Sequence, residues 1–98
     1  MTAAQIQDIQ DTFEECCRQC YMGTGRIEEA FDFDFETEDY TVEVHGEAIG
    51  FVEDYPGTYF DPPYTTGYVY FEPSKVIAVG DEQTENITDK IKTFKNNY

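Results

Sequence analysis

The chain has 98 residues, 40% of them apolar and 16% Phe or Tyr, with no Trp. That length fits a single domain over residues 1–98 with one thin core and excludes a large enclosed active site, while the aromatic content sets it apart from disordered acidic chains. Six Lys and Arg oppose 21 Asp and Glu for a formal net charge of −15, a field that repels nucleic acid and anionic membranes and favours basic macromolecular partners.

The charge is regional as well as global. No Lys or Arg lies between Arg26 and Lys75, while thirteen acids run from Glu28 to Glu72. The N-terminus shows neither a basic n-region nor an apolar h-region. No apolar run approaches the ~20 residues of a membrane span. Three closely spaced cysteines make a poor disulfide framework. Together these features predict a cytoplasmic location and no membrane segment.

The first predicted element is a helix over about residues 3–21. Ile6, Ile9, Phe13, Cys16, Cys17 and Cys20 recur at steps of three and four, the spacing of one helical face. Thr2 and Gln5 fit a capping box, Arg18 suits the last turn, and Gly23 and Gly25 supply the stop. The period then changes to two. Ile27, Phe31, Phe33 and Phe35 face one way and Asp32, Asp34 and Glu36 the other, as in a half-buried antiparallel strand. After a turn at Thr37 to Asp39, Tyr40, Val42 and Val44 resume the alternation. Beyond Gly46 the large apolar residues are Ile49 and Phe51, at odd positions. A β-bulge at Gly46 would return them to the same face, giving a long bent strand over about 40–53.

Residues 54–66 read as a loop, with a type II turn at Pro56-Gly57 and an extended Pro62-Pro63. Gly67 to Glu72 and Lys75 to Val79 read as strand, and Pro73 between them demands an edge or a bulge. In the tail, Ile87, Ile91, Phe94 and Tyr98 share a helical face, and Glu85 and Asp89 precede Lys90, Lys92 and Lys95, an order that suits a C-terminal helix. The expected fold is α+β: an N-terminal helix, an antiparallel sheet of three to four strands and a C-terminal helix. Both helices should cover one sheet face and the acids should line the other.

Chemistry-bearing motifs are sparse. Cys17-x-x-Cys20 has the spacing of half a zinc site, which Cys16 and His45 would have to complete. Adjacent Cys16 and Cys17 diverge by ~100° on a helix, and Cys16 and Cys20 continue the apolar stripe, so buried core thiols are the expectation. Asp32-Phe-Asp34-Phe-Glu36 lacks the glycine of a calcium loop. It reads as a solvated strand face, with weak cation binding or a protein-binding acidic stripe as its alternatives. No P-loop, dinucleotide turn or zincin motif occurs, and His45 has no nucleophile at motif spacing. No metal, cofactor or catalytic residue is assigned, and no enzymatic activity is expected.

Val42-Glu-Val44-His-Gly46, Tyr55-Pro56-Gly57, Asp61-Pro62-Pro63 and the strand Lys75-Val-Ile-Ala-Val79 resemble small uncharacterised acidic proteins of bacteriophages and other mobile elements. The resemblance covers the central half of the chain and implies an accessory protein rather than a metabolic enzyme. It transfers no functional residue.

Two surfaces are candidates for contact. Tyr55, Tyr59, Phe60 and Tyr64, followed by Tyr68 and Tyr70, form the densest aromatic segment, rich in the Tyr, Gly and Pro that supply rigid amphipathic contact area. Its candidate contact residues are Tyr55, Tyr59, Phe60, Tyr64 and Tyr68, and the alternative is that two or three of the rings fold back to cover one end of the sheet. Asp32, Asp34, Glu36 and Glu43 form an acidic face whose same-side carboxylates repeat every ~6.6–6.8 Å, close to the phosphate spacing of a nucleic-acid backbone. The leading expectation is a non-enzymatic protein-interaction protein with a protein partner of basic character. The alternatives are a nucleic-acid-mimicking inhibitor of a basic protein and a small metal protein or enzyme using Cys and His.

Overall fold

Thr2 opens the helix α1 (Ala3–Gln19) with a reciprocal capping box: its hydroxyl accepts from Gln5 N–H, and the Gln5 side chain accepts from Thr2 N–H. Ile9, Phe13 and Cys17, spaced four apart, form the buried stripe. The computed structural model describes residues 1–98. After α1 the chain runs through β1 (Gly25–Glu36), β2 (Thr41–Tyr55) and β3 (Tyr64–Val79), an antiparallel meander, and then β4 (Thr84–Asn86), a 3-10 turn (Thr88–Lys90) and β5 (Phe94–Asn97). β4 and β5 both pair antiparallel with the free edge of β3, at opposite ends of it. The expected α+β architecture, N-terminal helix and antiparallel sheet are present, with five strands instead of three or four.

There is no C-terminal helix. Ile87 and Ile91 are buried, and Phe94 and Tyr98 pack against the core, so the tail residues expected to face inward do so on a different backbone. The cause is the open edge of β3. β4 and β5 satisfy its main-chain groups, and the 3-10 turn carries the chain between them. Gln10 pins the unpaired segment by a two-way bond to Lys92, donating to its carbonyl at 3.2 Å and accepting from its N–H at 2.8 Å. α1 is therefore the one helix covering the inner sheet face. Phe13 of α1 stacks on Phe31 with ring centroids 6.2 Å apart, and Phe31 meets Phe71 edge-on at 5.4 Å.

The expected bulge lies in the other strand. β2 keeps a single parity throughout: Val42, Val44, Gly46, Ala48 and Val52 all face inward and are buried. Ile49 and Phe51 point to the opposite, uncovered face. The register shifts between His45↔Lys75 and Gly46↔Pro73, which leaves Ser74 of β3 without a partner. Pro73 thus sits at a bulge, as its missing donor requires. Gly46 is instead a slot: a Cβ there would collide with the Glu72 carbonyl oxygen and stand 2.7 Å from the Phe31 ring.

β2 and β3 outrun their neighbours. β1 begins opposite Val52 and β5 ends opposite Tyr68, so residues 53–66 project as a two-stranded arm. The molecule is correspondingly elongated, 59 × 23 × 17 Å.

Candidate interaction surface

The arm tip is a tight turn built by Thr58. Its N–H donates to the Asp61 carbonyl at 2.8 Å, and its hydroxyl accepts from the N–H groups of Phe60 and Asp61. Gly57 precedes it at φ +83°, a conformation that favours glycine. Tyr59 and Phe60 occupy the turn's two corners, 95% and 89% exposed, and meet edge to face at 5.1 Å. They touch each other and no core residue. The loop is shorter than expected, 56–63, because strand pairing continues to Tyr55↔Tyr64. Those two rings stack 4.6 Å apart at 18°, closing the arm's last rung. The Tyr55 hydroxyl donates to Glu53 at 2.5 Å, and this bond raises the phenol above its ordinary pKa.

Directly opposed residues share a face, so the rungs Tyr55/Tyr64, Phe51/Tyr68 and Ile49/Tyr70 form one outward ladder from the arm onto the sheet. Tyr68 and Tyr70 meet edge to face at 5.5 Å. Lys95 of β5 lies over both, its Nζ 5.2 and 5.5 Å from their centroids. Of the aromatic candidates, Tyr55, Tyr64 and Tyr68 belong to this ladder and Tyr59 and Phe60 to the tip. Sequence reasoning missed Ile49, Phe51 and Lys95 as members. The signal was present in the odd positions of Ile49 and Phe51, which the supposed Gly46 bulge had turned inward.

The acidic candidates occupy the other half of the same outer face. Asp32 pairs across the strands with His45 and Asp34 with Glu43, while Glu36 ends β1 opposite Thr41; all four acids are exposed. His45 is bonded through both ring nitrogens, Nδ1 to Asp32 and Nε2 to Glu43 at 2.8 Å. The Glu43 bond, then the Asp32 bond, raises its pKa above the ordinary histidine value. Two carboxylate acceptors suit an imidazolium, whose nitrogens both donate.

No family model, curated protein or solved structure matches the chain.

The cysteines stand apart from both surfaces. Cys17 is fully buried; Cys16 and Cys20 are half-buried, and of these two only Cys20 packs on the core cluster. The core thiol is therefore Cys17, rather than the expected pair Cys16 and Cys20, because it lies four residues beyond Phe13. Burial pushes all three thiols up, Cys17 the furthest, so they stay protonated at neutral pH. His45 sits on the outer face, across the sheet from α1, and the four residues do not converge. No His, Cys, Asp and Glu side chains cluster in metal-binding geometry. No helix is long and apolar enough to cross a membrane.

Proposed function

We propose that the chain is a non-enzymatic protein-interaction module that grips a protein partner with its aromatic arm and the adjoining ladder. The observation that carries this reading is the tip: Tyr59 and Phe60 are almost wholly exposed on a turn ordered by Thr58, far from the core. Two large rings held there contribute little to folding and offer desolvatable area of the kind that anchors interfaces. Pro56, Pro62 and Pro63 stiffen the loop and lower the ordering cost on binding. The test is the double substitution Tyr59→Ala, Phe60→Ala. The expected result is an unchanged melting temperature and loss of the partner recovered from the native host by the wild-type chain. Retained partner, or a large fall in melting temperature, refutes the reading.

The exposed Asp32, Asp34, Glu36 and Glu43 on one face support a second reading, occupation of a nucleic-acid site on a basic protein. His45 weighs against it, since it bridges Asp32 and Glu43 at the centre of that face and occupies their carboxylates. Under this reading duplex DNA displaces the partner and the tip substitutions leave binding intact.

A further inference from the structure

β1 is a long sheet edge with nothing beside it. Its ladder runs to β2 alone, and no other backbone hydrogen bond reaches Gly25–Glu36. Alternate N–H and C=O groups along a strand of about 40 Å therefore face solvent, the arrangement that accepts an added strand. The opposite edge of the sheet is already taken by β4 and β5.

The flanks of this edge state what would fit. On the outer face β1 presents Glu28, Asp32, Asp34 and Glu36, all exposed. On the inner face it presents Phe33 and Phe35, which remain half-buried although their β2 partners Val44 and Val42 are fully buried. The remaining ring surface is open because no strand lies beyond β1. A second copy is a poor occupant. Pairing β1 with its own equivalent sets carboxylates directly opposite carboxylates, which is destabilising, between two chains of net charge −15. We propose that the β1 edge accepts an extended segment of a partner protein in which Lys or Arg alternates with apolar residues. Its main chain completes the ladder, its cations lie beside Asp34 and Glu36, and its apolar side chains cover Phe33 and Phe35. This site is separate from the aromatic arm and stands or falls independently of it.

The probe is a synthetic capped octapeptide, Lys-Val repeated four times. Its comparators are four lysines followed by four valines, and Glu-Val repeated four times. Binding is read by fluorescence anisotropy and by amide hydrogen exchange. The alternating cationic peptide is expected to slow exchange at least tenfold at alternate β1 amides between Phe31 and Glu36, with the amides of 56–63 unchanged. Asp34→Lys with Glu36→Lys, both at exposed positions, should weaken it roughly tenfold, the sum of two reversed exposed charge pairs, with the melting temperature held as a check on folding. Equal binding by the block peptide would reduce the effect to net charge and overturn the proposal. Equal binding by the Glu-Val peptide, protection outside β1, or no binding at all overturns it as well.

Discussion

Deleting Ser74 tests the register directly. Lys75 opposes His45 and Pro73 opposes Gly46, so Ser74 is the residue of β3 left over between two consecutive pairs. Without it Lys75 and Pro73 become neighbours opposite neighbours, the ladder runs on as a regular one, and Val69, Phe71, Val76 and Ala78 keep both their partners and their buried face. What is lost is the Ser74 hydroxyl bond to the His45 carbonyl at 3.1 Å, worth ~0.5–1.5 kcal/mol. At ~4–8 °C per kcal/mol the melting temperature should fall by roughly 10 °C or less in a circular-dichroism melt. A paired residue at this position would behave differently, because its deletion would slip one half of β3 by a residue and exchange the faces. Val69 and Phe71, both 0% exposed, would then turn to solvent at ~1.5–3 kcal/mol each for lost burial, and Glu72 would turn inward for several kcal/mol more. That is about 5 kcal/mol or more against a total of ~5–15 kcal/mol for a domain of this size, a fall of roughly 20 °C or more. Ser74→Ala removes the hydroxyl alone and should match the deletion. A deletion variant that melts roughly 20 °C or more below both wild type and the alanine variant would refute Ser74 as the unpaired residue of the bulge.

Phe31→Ala should lower unfolding free energy in urea by ~3–5 kcal/mol, while Asp34→Asn should be neutral or slightly stabilising because Asp34 directly opposes Glu43; acids that prove costly to neutralise would contradict the outward face. The melting temperature should rise from low to moderate sodium chloride. Among the Lys and Arg side chains only Arg18 and Arg26 make ion pairs, so screening mainly relieves repulsion; a flat or falling trend would contradict this. His45 should titrate by NMR above its ordinary 6.5, held by Glu43 and Asp32, with Glu47 on its own strand and Lys75 across β3 as its other charged neighbours. A raised folded pKa stabilises fully below the unfolded value, and that contribution is lost as pH rises through the folded value. The stability advantage of wild type over His45→Gln should therefore be complete near pH 6 and shrink above 6.5; an advantage that grows with pH would reverse the assignment.

Local signals were legible where they were redundant. α1 carries a capping box, an apolar stripe and glycine stops that agree, and β1 alternates strictly from Phe31 to Glu36. The tail misled because Phe94 and Tyr98 are four apart, a separation that satisfies a helical face and, being even, a strand face too. What decides between them is the unpaired edge of β3, a partner distant in sequence. Gly46 misled for a similar reason. A glycine that breaks an alternation marks either a bulge or a slot for a cross-strand ring, and only the position of Phe31 distinguishes the two. That one misplacement hid two of the outward ladder's six residues, because it turned Ile49 and Phe51 into the core. The tip residues were legible because Pro and Gly bracket them, leaving the rings no alternation to join.

The outward ladder is mostly Tyr: Tyr55, Tyr64, Tyr68 and Tyr70 fill four of its six positions, with Phe51 and Ile49 in the other two, all exposed. The rings that pack between α1 and the sheet are Phe: Phe13, Phe31, Phe33 and Phe71 are buried or half-buried. A phenol keeps its hydroxyl hydrated while presenting a ring, so an outward Tyr ladder costs less in water than the same ladder of Phe. The surrounding acids add a second constraint. Two copies meeting ladder to ladder bring two strongly negative chains together, and that repulsion opposes self-association without removing the apolar area. A surface that stays wet alone, and that its own copy is repelled from covering, fits the proposed contact with a different chain, and under that proposal the charge favours a chain that is neutral or basic where it approaches the sheet.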